Sequence, residues 1–405
     1  MKERIHEKIL NKCEDLIDWY NSQISDSYVP FYASFDIRDA GFKIGNVDGN
    51  IFPAGFNNIC QMDKDTAPEL IESYLKNRFP DKKELLLLSE DHLKNTFYWE
   101  NVASISDLLV DSGYNVKIGM LSPEIEKEIQ VETYTGRKVD VLKVSSDNGQ
   151  LMTSNGVPDL VISNNDFSNS YEGTDFSNTL MTPLKELGWY QRKKMSYFKY
   201  YNQYVEKFSE FIDEDPWLFK VETQSFIDFD VSDENSRDKL AQQVDVLISD
   251  IQNKYDEHGI KEKPYVFVKN NSGTYGLGIL TASSGDDVRS WNYKSKKKMK
   301  ATKGGGGISQ VIIQEGIPSA LTEEGATAEP VLYMLGAELA GGFLRTHEKK
   351  DALQSLNSPG AVYKKLCLSD LRVRAEGCVL ENVYGWVAKL GLLAISQEAK
   401  DLNIQ

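Results

Sequence analysis

Histidine and cysteine are both scarce, with four of each among 405 residues. The histidines, at positions 6, 92, 258 and 347, form no HxxxH pair, which excludes a helical two-histidine metal motif. Cys13, Cys60, Cys367 and Cys378 are widely scattered and give neither CxxC metal spacing nor a disulfide framework. No run of about 20 apolar residues occurs, so no transmembrane helix is expected. The opening MKERIHEKIL is charged and lacks the apolar stretch of a signal peptide. Basic residues are also in deficit, 46 against 61 acidic ones, for a net charge of -15. That balance argues against a nucleic-acid partner or an anionic membrane surface, because both need a basic face. A local basic pocket for a small anion remains compatible with it. The expectation is a soluble, cytoplasmic protein acting on small molecules.

The composition that is present is globular: 40% hydrophobic, 26% charged and only 12 prolines. The length allows two or three lobes. Apolar positions at helical spacing predict one amphipathic helix over residues 1–28. A glycine-, asparagine- and aromatic-rich block with little periodicity follows at 28–58 and reads as loop-rich. KELLLLSEDH and PDLVISNND each run from a short apolar strand into polar residues. With a helix near 100–113 and a strand at Tyr114–Met120, they predict an open α/β sheet with its site at the carboxyl ends. Helices are expected at 66–78, 187–211, 236–255 and about 380–399. EPVLYML and AGGFLR read as paired strands. The GGGG run at 304–307 suggests a surface connection or a lid.

The stretch PYVFVKNNSGTYGLGIL, 264–280, carries the chemistry. Its apolar strand delivers Lys269 to a loop holding Gly273, Gly276 and Gly278. The lysine precedes the glycines, which fits neither a Walker A loop nor a kinase loop. GxGxxG spacing is absent as well. A strand lysine reaching phosphates under a glycine flap remains, beside the plainer reading of a tight hairpin. Downstream lie Gln314 and Glu315 in VIIQEGI, Glu329 on EPVLYML, Arg345 closing GGFLR, and Asn357 in LNSPG.

That succession resembles the ATP-grasp enzymes. FDIRDAGFKIGNVDGNIFPAGFNNI, LVISNNDFS, GWYQRKKMSYF, VFVKNNSGTYGLGI, AEPVLYML, GGFLRTH and LNSPGAV together resemble the bacterial glutamate–cysteine ligases of the proteobacterial type. The resemblance implies an α/β fold: an N-terminal open α/β lobe, 1–175, binding substrate, then an ATP-grasp-like nucleotide-binding and catalytic region, 176–405. It implies ATP and Mg²⁺ as cofactors and L-glutamate and L-cysteine as substrates. Glutamate's γ-carboxylate would be phosphorylated and then attacked by cysteine's amine. By the same resemblance Lys269 and Arg345 are catalytic. Lys269, Gly273, Gly276, Gly278, Gln314, Glu315, Ile317 and Lys220 would contact ATP. Glu329 and Asn357 would hold metal, with Asp351 a substitute where Ser355 stands in place of a common glutamate. Asp36, Arg38, Asp48, Asn50, Asn57 and Asn58 would bind the amino acids, with Arg192 and Lys194 a weaker cationic pair. An ATP-grasp ligase with another acceptor and a non-catalytic ATP-binding regulator are the competing readings.

Overall fold

Eight consecutive buried residues, Tyr32–Asp39, form the strand on which the molecule is organised. The computed structural model describes residues 1–272, 278–300 and 308–402. Tyr32–Asp39 lies in an antiparallel sheet ordered Val362–Leu366, Glu338–His347, Ala326–Leu335, Tyr32–Asp39, Ile44–Asn50, with Thr322–Glu323 paired beside it. EPVLYML and AGGFLR do pair, placing Glu329 opposite Arg345. Residues 32–50, expected as a loop-rich block, are two paired strands instead. Their glycines, asparagines and aspartates hide the strand because both faces are covered, so no apolar–polar alternation is required.

A second sheet runs Met181–Thr182, Leu160–Ser163, Glu84–Ser89, Asn115–Met120, Lys138–Lys143, Glu128–Glu132. It is parallel except at the Glu128–Glu132 edge. Its first crossover is the helix Thr96–Asp111, started by Asn95, whose side chain accepts from the Tyr98 amide. This is the open α/β sheet that the apolar runs 85–88 and 160–162 predict. A third, four-stranded antiparallel sheet is ordered Thr223–Phe226, Val311–Glu315, Val266–Asn270, Leu280–Ala282. The chain is therefore mixed α/β.

Helix Val383–Asp401 packs against Lys194–Phe211 and against strands of the large antiparallel sheet. It is buried along nearly its whole length, as a helix apolar on all sides must be. The Asn382 side chain caps it by accepting from the Tyr384 and Gly385 amides. The expected opening helix is two, Lys2–Asn11 and Cys13–Ile24, parted at Lys12. A further correction concerns the cysteines, which form a disulfide framework after all: Cys13 pairs with Cys378 and Cys60 with Cys367. Partners separated by 365 and 307 residues have no local spacing to betray them.

Candidate active site

Strand register assembles the centre of the site. Asp36 lies opposite Asp48 on one neighbouring strand and opposite Val331 on the other. The pairing then slips between Asp36 and Ile37, so that Ile37 faces Asn46 and Val47 is the extra residue. Bulges of this kind re-aim backbone groups beside functional sites. Here the freed Val47 carbonyl accepts from Lys269 Nζ at 3.3 Å. Asn46 braces the bulge, its side-chain amide donating to the Asp36 and Asp48 carbonyls at 3.0 and 2.9 Å. The Tyr197 hydroxyl donates in turn to Asn46 Oδ1.

Arg345 reaches across from its own strand and clasps two carboxylates. Its Nη1 donates to Asp36 Oδ2 at 2.7 Å and Glu329 Oε1 at 2.8 Å. Glu329 Oε2 is held from the other side by Arg38 Nε at 2.5 Å. All four side chains are buried. Desolvation works against the Arg345 cation, yet Asp36 and Glu329 hold it more firmly protonated than a free guanidinium. Asp36 is pushed up, because burial outweighs the Arg345 contact and Glu329 and Asp48 add repulsion. Arg345 Nε has no hydrogen-bond partner among the described residues.

A cationic group adjoins this network. Lys194 pairs with Asp48, and Lys269 donates to Gln314 Oε1 at 2.5 Å. Asp48 is half-buried, and Lys194 and Lys269 outweigh its desolvation and hold its carboxyl below the usual range. Burial brings Lys269 down to about 8, with Asp48 opposing and Lys194 and Arg38 reinforcing the fall. The entry to the glycine loop is fixed as well: Ser272 Oγ donates to the Arg192 carbonyl at 3.1 Å and accepts from Lys193 Nζ at 2.7 Å. Gly278 has a φ of +65°, a backbone state that glycine adopts without strain. Gly273 and Gly276 lie outside the described residues, as does the 301–307 segment.

Other residues singled out from sequence are placed less centrally. Glu315 is fully buried against Lys43, with both carboxylate oxygens 2.8 Å from Nζ. Its side chain is thereby committed, its amide donates to the Glu222 carbonyl at 2.8 Å, and its neighbours Gln314 and Ile317 are buried. Lys220 points to Glu206 at 2.5 Å on the outside of the molecule. Arg38 spends its remaining donors on the Ala352 and Gln354 carbonyls, at 3.1 and 2.6 Å. It thus ties the loop before exposed Asn357 to the site, while Asp351 in that loop accepts from the Leu353 amide. Asn50 ends its strand opposite Ser34. Asn57 and Asn58 bond each other at 3.1 Å in a short 3-10 turn, and Asn57 opens onto a different surface cavity, beside Lys64. Arg192 is a buried strut between Glu398 and the Gly49 carbonyl. Lys43, Asn46 and Glu398 had no local signal, since their roles arise only when distant strands and helices meet.

The arrangement sets fixed cations and carboxylates side by side where two sheets meet, as a transfer of phosphoryl charge requires. Comparison with known proteins gives the same direction. The family model described as glutamate-cysteine ligase matches residues 6–399. A solved structure from Methylobacillus flagellatus KT, assigned provisionally as a gamma-glutamylcysteine synthetase, is 33% identical with a TM-score of 0.88, covering 98% of this chain and 96% of that one. A glutathione synthetase-like effector from Globodera pallida aligns over 89% of this chain and 83% of that one at 12% identity, with a TM-score of 0.37. D-alanyl-alanine synthetase A from Vibrio cholerae aligns over 79% and 81% at 11% identity, with a TM-score of 0.35; these two likenesses are too low to carry an argument. No curated protein matches the chain.

Proposed function

Since the chain belongs to the glutamate–cysteine ligase family, we propose that it joins the γ-carboxylate of L-glutamate to the amine of L-cysteine at the expense of ATP, by way of γ-glutamyl phosphate. The observation that carries the catalytic assignment is the Arg345 clasp on Asp36 and Glu329 beside the Lys269–Gln314 contact. Joining a carboxylate to an amine needs an activated acyl group, and phosphorylation brings several anionic oxygens together. Lys269 and Lys194 offset that repulsion from one side, and Arg345 steadies the transferring phosphoryl group or the tetrahedral oxyanion from the other. The backbone at Gly278 approaches the phosphates. Gln314 and the Glu315–Ile317 backbone lie along the nucleotide base.

Mg²⁺ fits the donor set. Asp36, Asp48 and Glu329 carry the oxygen ligands this ion prefers and would hold it, Glu329 on exchange of its contacts with Arg345 and Arg38, with Asn357 on the loop held by Arg38. When bound, it neutralises phosphate charge and orients the terminal phosphoryl group. Asp36 and Asp48 also supply carboxylates to a site whose loop reads Ser355-Leu356-Asn357. No described helix is long and apolar enough to cross a membrane. ATP and free amino acids place the reaction in the cytoplasm, with small molecules rather than nucleic acid as partners.

The test is ADP release by the purified protein with MgATP and glutamate alone, cysteine alone, or both. Release that needs both, with γ-glutamylcysteine identified by mass spectrometry, is the expected result. Release with glutamate and some other amine would keep the acyl-phosphate route and discard cysteine. Bound ATP without release would instead indicate a regulator.

A further inference from the structure

Asp63 is only 5% exposed, and its carboxylate makes no ion pair among the described residues. Its two oxygens accept the Leu368 amide at 3.0 and 3.3 Å, and Asp370 and Arg372 act on it with opposite sign. A carboxylate shielded in this way is costly until a cation completes it. Two sulfurs stand beside it: one ligand atom from each of Cys60, Asp63 and Cys367 lies within 4.8 Å of the other two. Among the described residues, Cys13 and Cys378 belong to no such group of three.

Local structure explains why these residues meet. Cys60 immediately precedes the helix Gln61–Arg78, and Asp63 stands in its first turn. Residues three apart share one side of a helix, and the start of a helix favours negative charge. Cys367 comes from the far end of the chain, after strand Val362–Leu366 and at the head of the turn Leu368–Leu371. Its Cα lies 5.5 Å from that of Cys60. The turn is pinned from both sides, since Asp63 accepts the Leu368 amide and Asp370 Oδ2 accepts the Cys367 amide at 2.9 Å. Outer hydrogen bonds of this kind hold metal ligands in place. Cys60 is buried and Cys367 half-buried, so one side of the group faces the medium.

While Cys60 and Cys367 are bonded to each other they are not metal ligands, because it is the thiolate that binds. Reduction changes their chemistry. Two molecules of a thiol reductant supply two electrons and two protons, the S–S bond breaks, and the reductant leaves as its own disulfide. Two cysteine thiols then stand beside Asp63.

We propose that the reduced pair, together with Asp63, binds one Zn²⁺ ion. Binding releases the two thiol protons to solvent and forms two zinc–sulfur bonds and one zinc–oxygen bond. Zinc takes such ligands in a tetrahedron, where bonds of about 2.3 Å set the sulfurs about 3.8 Å apart and leave a fourth position for water. Thiolate sulfur selects zinc over Mg²⁺, which prefers oxygen. The ion would tie the start of helix Gln61–Arg78 to the turn after Val362–Leu366, as the disulfide does, in a medium where the disulfide is open. None of this depends on the ligase reading.

The test uses the full-length protein, oxidised or reduced with a phosphine, which becomes its oxide as the disulfide opens and competes weakly for zinc. After equilibration with zinc chloride and gel filtration, elemental analysis should find one zinc on each reduced chain and none on the oxidised chain. Cys60→Ser, Cys367→Ser and Asp63→Asn should each weaken zinc binding by at least about tenfold, the effect of disturbing even an outer partner of a metal site. Cys13→Ser, which alters the other cysteine pair, should bind as wild type does. Wild type alone gives a second reading that survives any failure of the variants to fold. Reduced under nitrogen and loaded with Co²⁺ in place of zinc, it should show a sulfur-to-cobalt charge-transfer band in the near ultraviolet and strong tetrahedral bands in the visible. Failure of the reduced protein to retain zinc would overturn the proposal, as would equal retention by the oxidised protein. Loss with Cys13→Ser equal to that with Cys60→Ser, or cobalt bound without the sulfur band, would overturn it too.

Discussion

Lys269 is held in a setting that lowers its charge while the chemistry needs that charge. Burial brings its ammonium from 10.5 down to about 8, so the free enzyme loses this cation within an accessible pH range. As kcat/KM reports ionisations of the free enzyme, kcat/KM for ATP should fall above about pH 8 along a one-proton slope, measured in steady-state assays from pH 6 to 10. Lys269→Arg should move the fall out of range even at reduced turnover, while Lys269→Ala should lose most activity at every pH. A Lys269→Ala protein with full turnover would remove the core of the scheme. The sign for folding is opposite: the unfolded chain keeps the proton up to 10.5, so Lys269 favours folding increasingly as pH rises above about 8. Arg345 presents a different balance. Arg345→Met leaves Asp36 and Glu329 buried without that partner, and breaking a buried pair from one side costs about 3–5 kcal/mol. A lowered urea midpoint should therefore accompany its loss of activity. Addition of Asp36→Asn should recover part of the midpoint without restoring turnover, which separates the structural share of Arg345 from the chemical one.

At the scale of the element, the central helix shows packing overruling propensity. Gly391 stands in the middle of Val383–Asp401, where alanine would ordinarily favour the helix by about 1 kcal/mol. A Cβ there would come within 2.5 Å of the Phe35 ring and 2.6 Å of the Tyr197 hydroxyl. Both neighbours matter, since Phe35 precedes Asp36 and Tyr197 holds Asn46 under the bulge. Gly391→Ala should thus destabilise, by about 1–3 kcal/mol as overpacked cores do, and reduce turnover by tilting the strand that carries Asp36. Urea unfolding and steady-state rates on the same preparation check both effects; a raised midpoint would show that the strand yields freely. The same contacts explain what was legible in the sequence. The apolar runs 85–88, 160–162 and 266–268 announced their strands, and Lys269, Glu329 and Arg345 were singled out by their order along the chain and the family resemblance that order carries. Strands 32–39 and 44–50 were not so announced, because a strand covered on both faces shows no alternation. The bulge at Val47 and the Lys43–Glu315 pair were also hidden. They depend on register between strands that are far apart in the chain, which local spacing does not encode.

For the molecule as a whole, the two disulfides fasten the first sixty residues to the last forty. Cys13–Cys378 joins the second helix to the hairpin Arg372–Ala375 and Cys378–Glu381. Cys60–Cys367 joins the start of helix Gln61–Arg78 to the turn at 368–371, where Asp63 also accepts the Leu368 amide at 3.0 Å. The strand bearing Asp36 lies between Cys13 and Cys60, so the cross-links act on one side of the frame that holds the clasp. Cross-linking acts mainly on the unfolded chain, by about 2–4 kcal/mol for a typical bond. The two bonds are nested, however. With Cys13–Cys378 in place, the second bond closes only the short path through residues 13–60 and 367–378, so it adds less than it would alone. Oxidised protein should therefore unfold at a higher urea concentration than reduced protein. Cys13→Ser and Cys60→Ser should each lower the oxidised midpoint, and the loss from both together should exceed either single loss. In the reducing cytoplasm proposed for it such thiols stay open, and the fold then rests on its packed core and the buried Arg345 network. Reductant should accordingly lower the midpoint while leaving ligase turnover at 25 °C within about twofold, because the cysteines contact none of the reacting groups and distant sites act independently. Equal midpoints with and without reductant, with four thiols titrating in the native protein, would show that the pairs are not joined in solution.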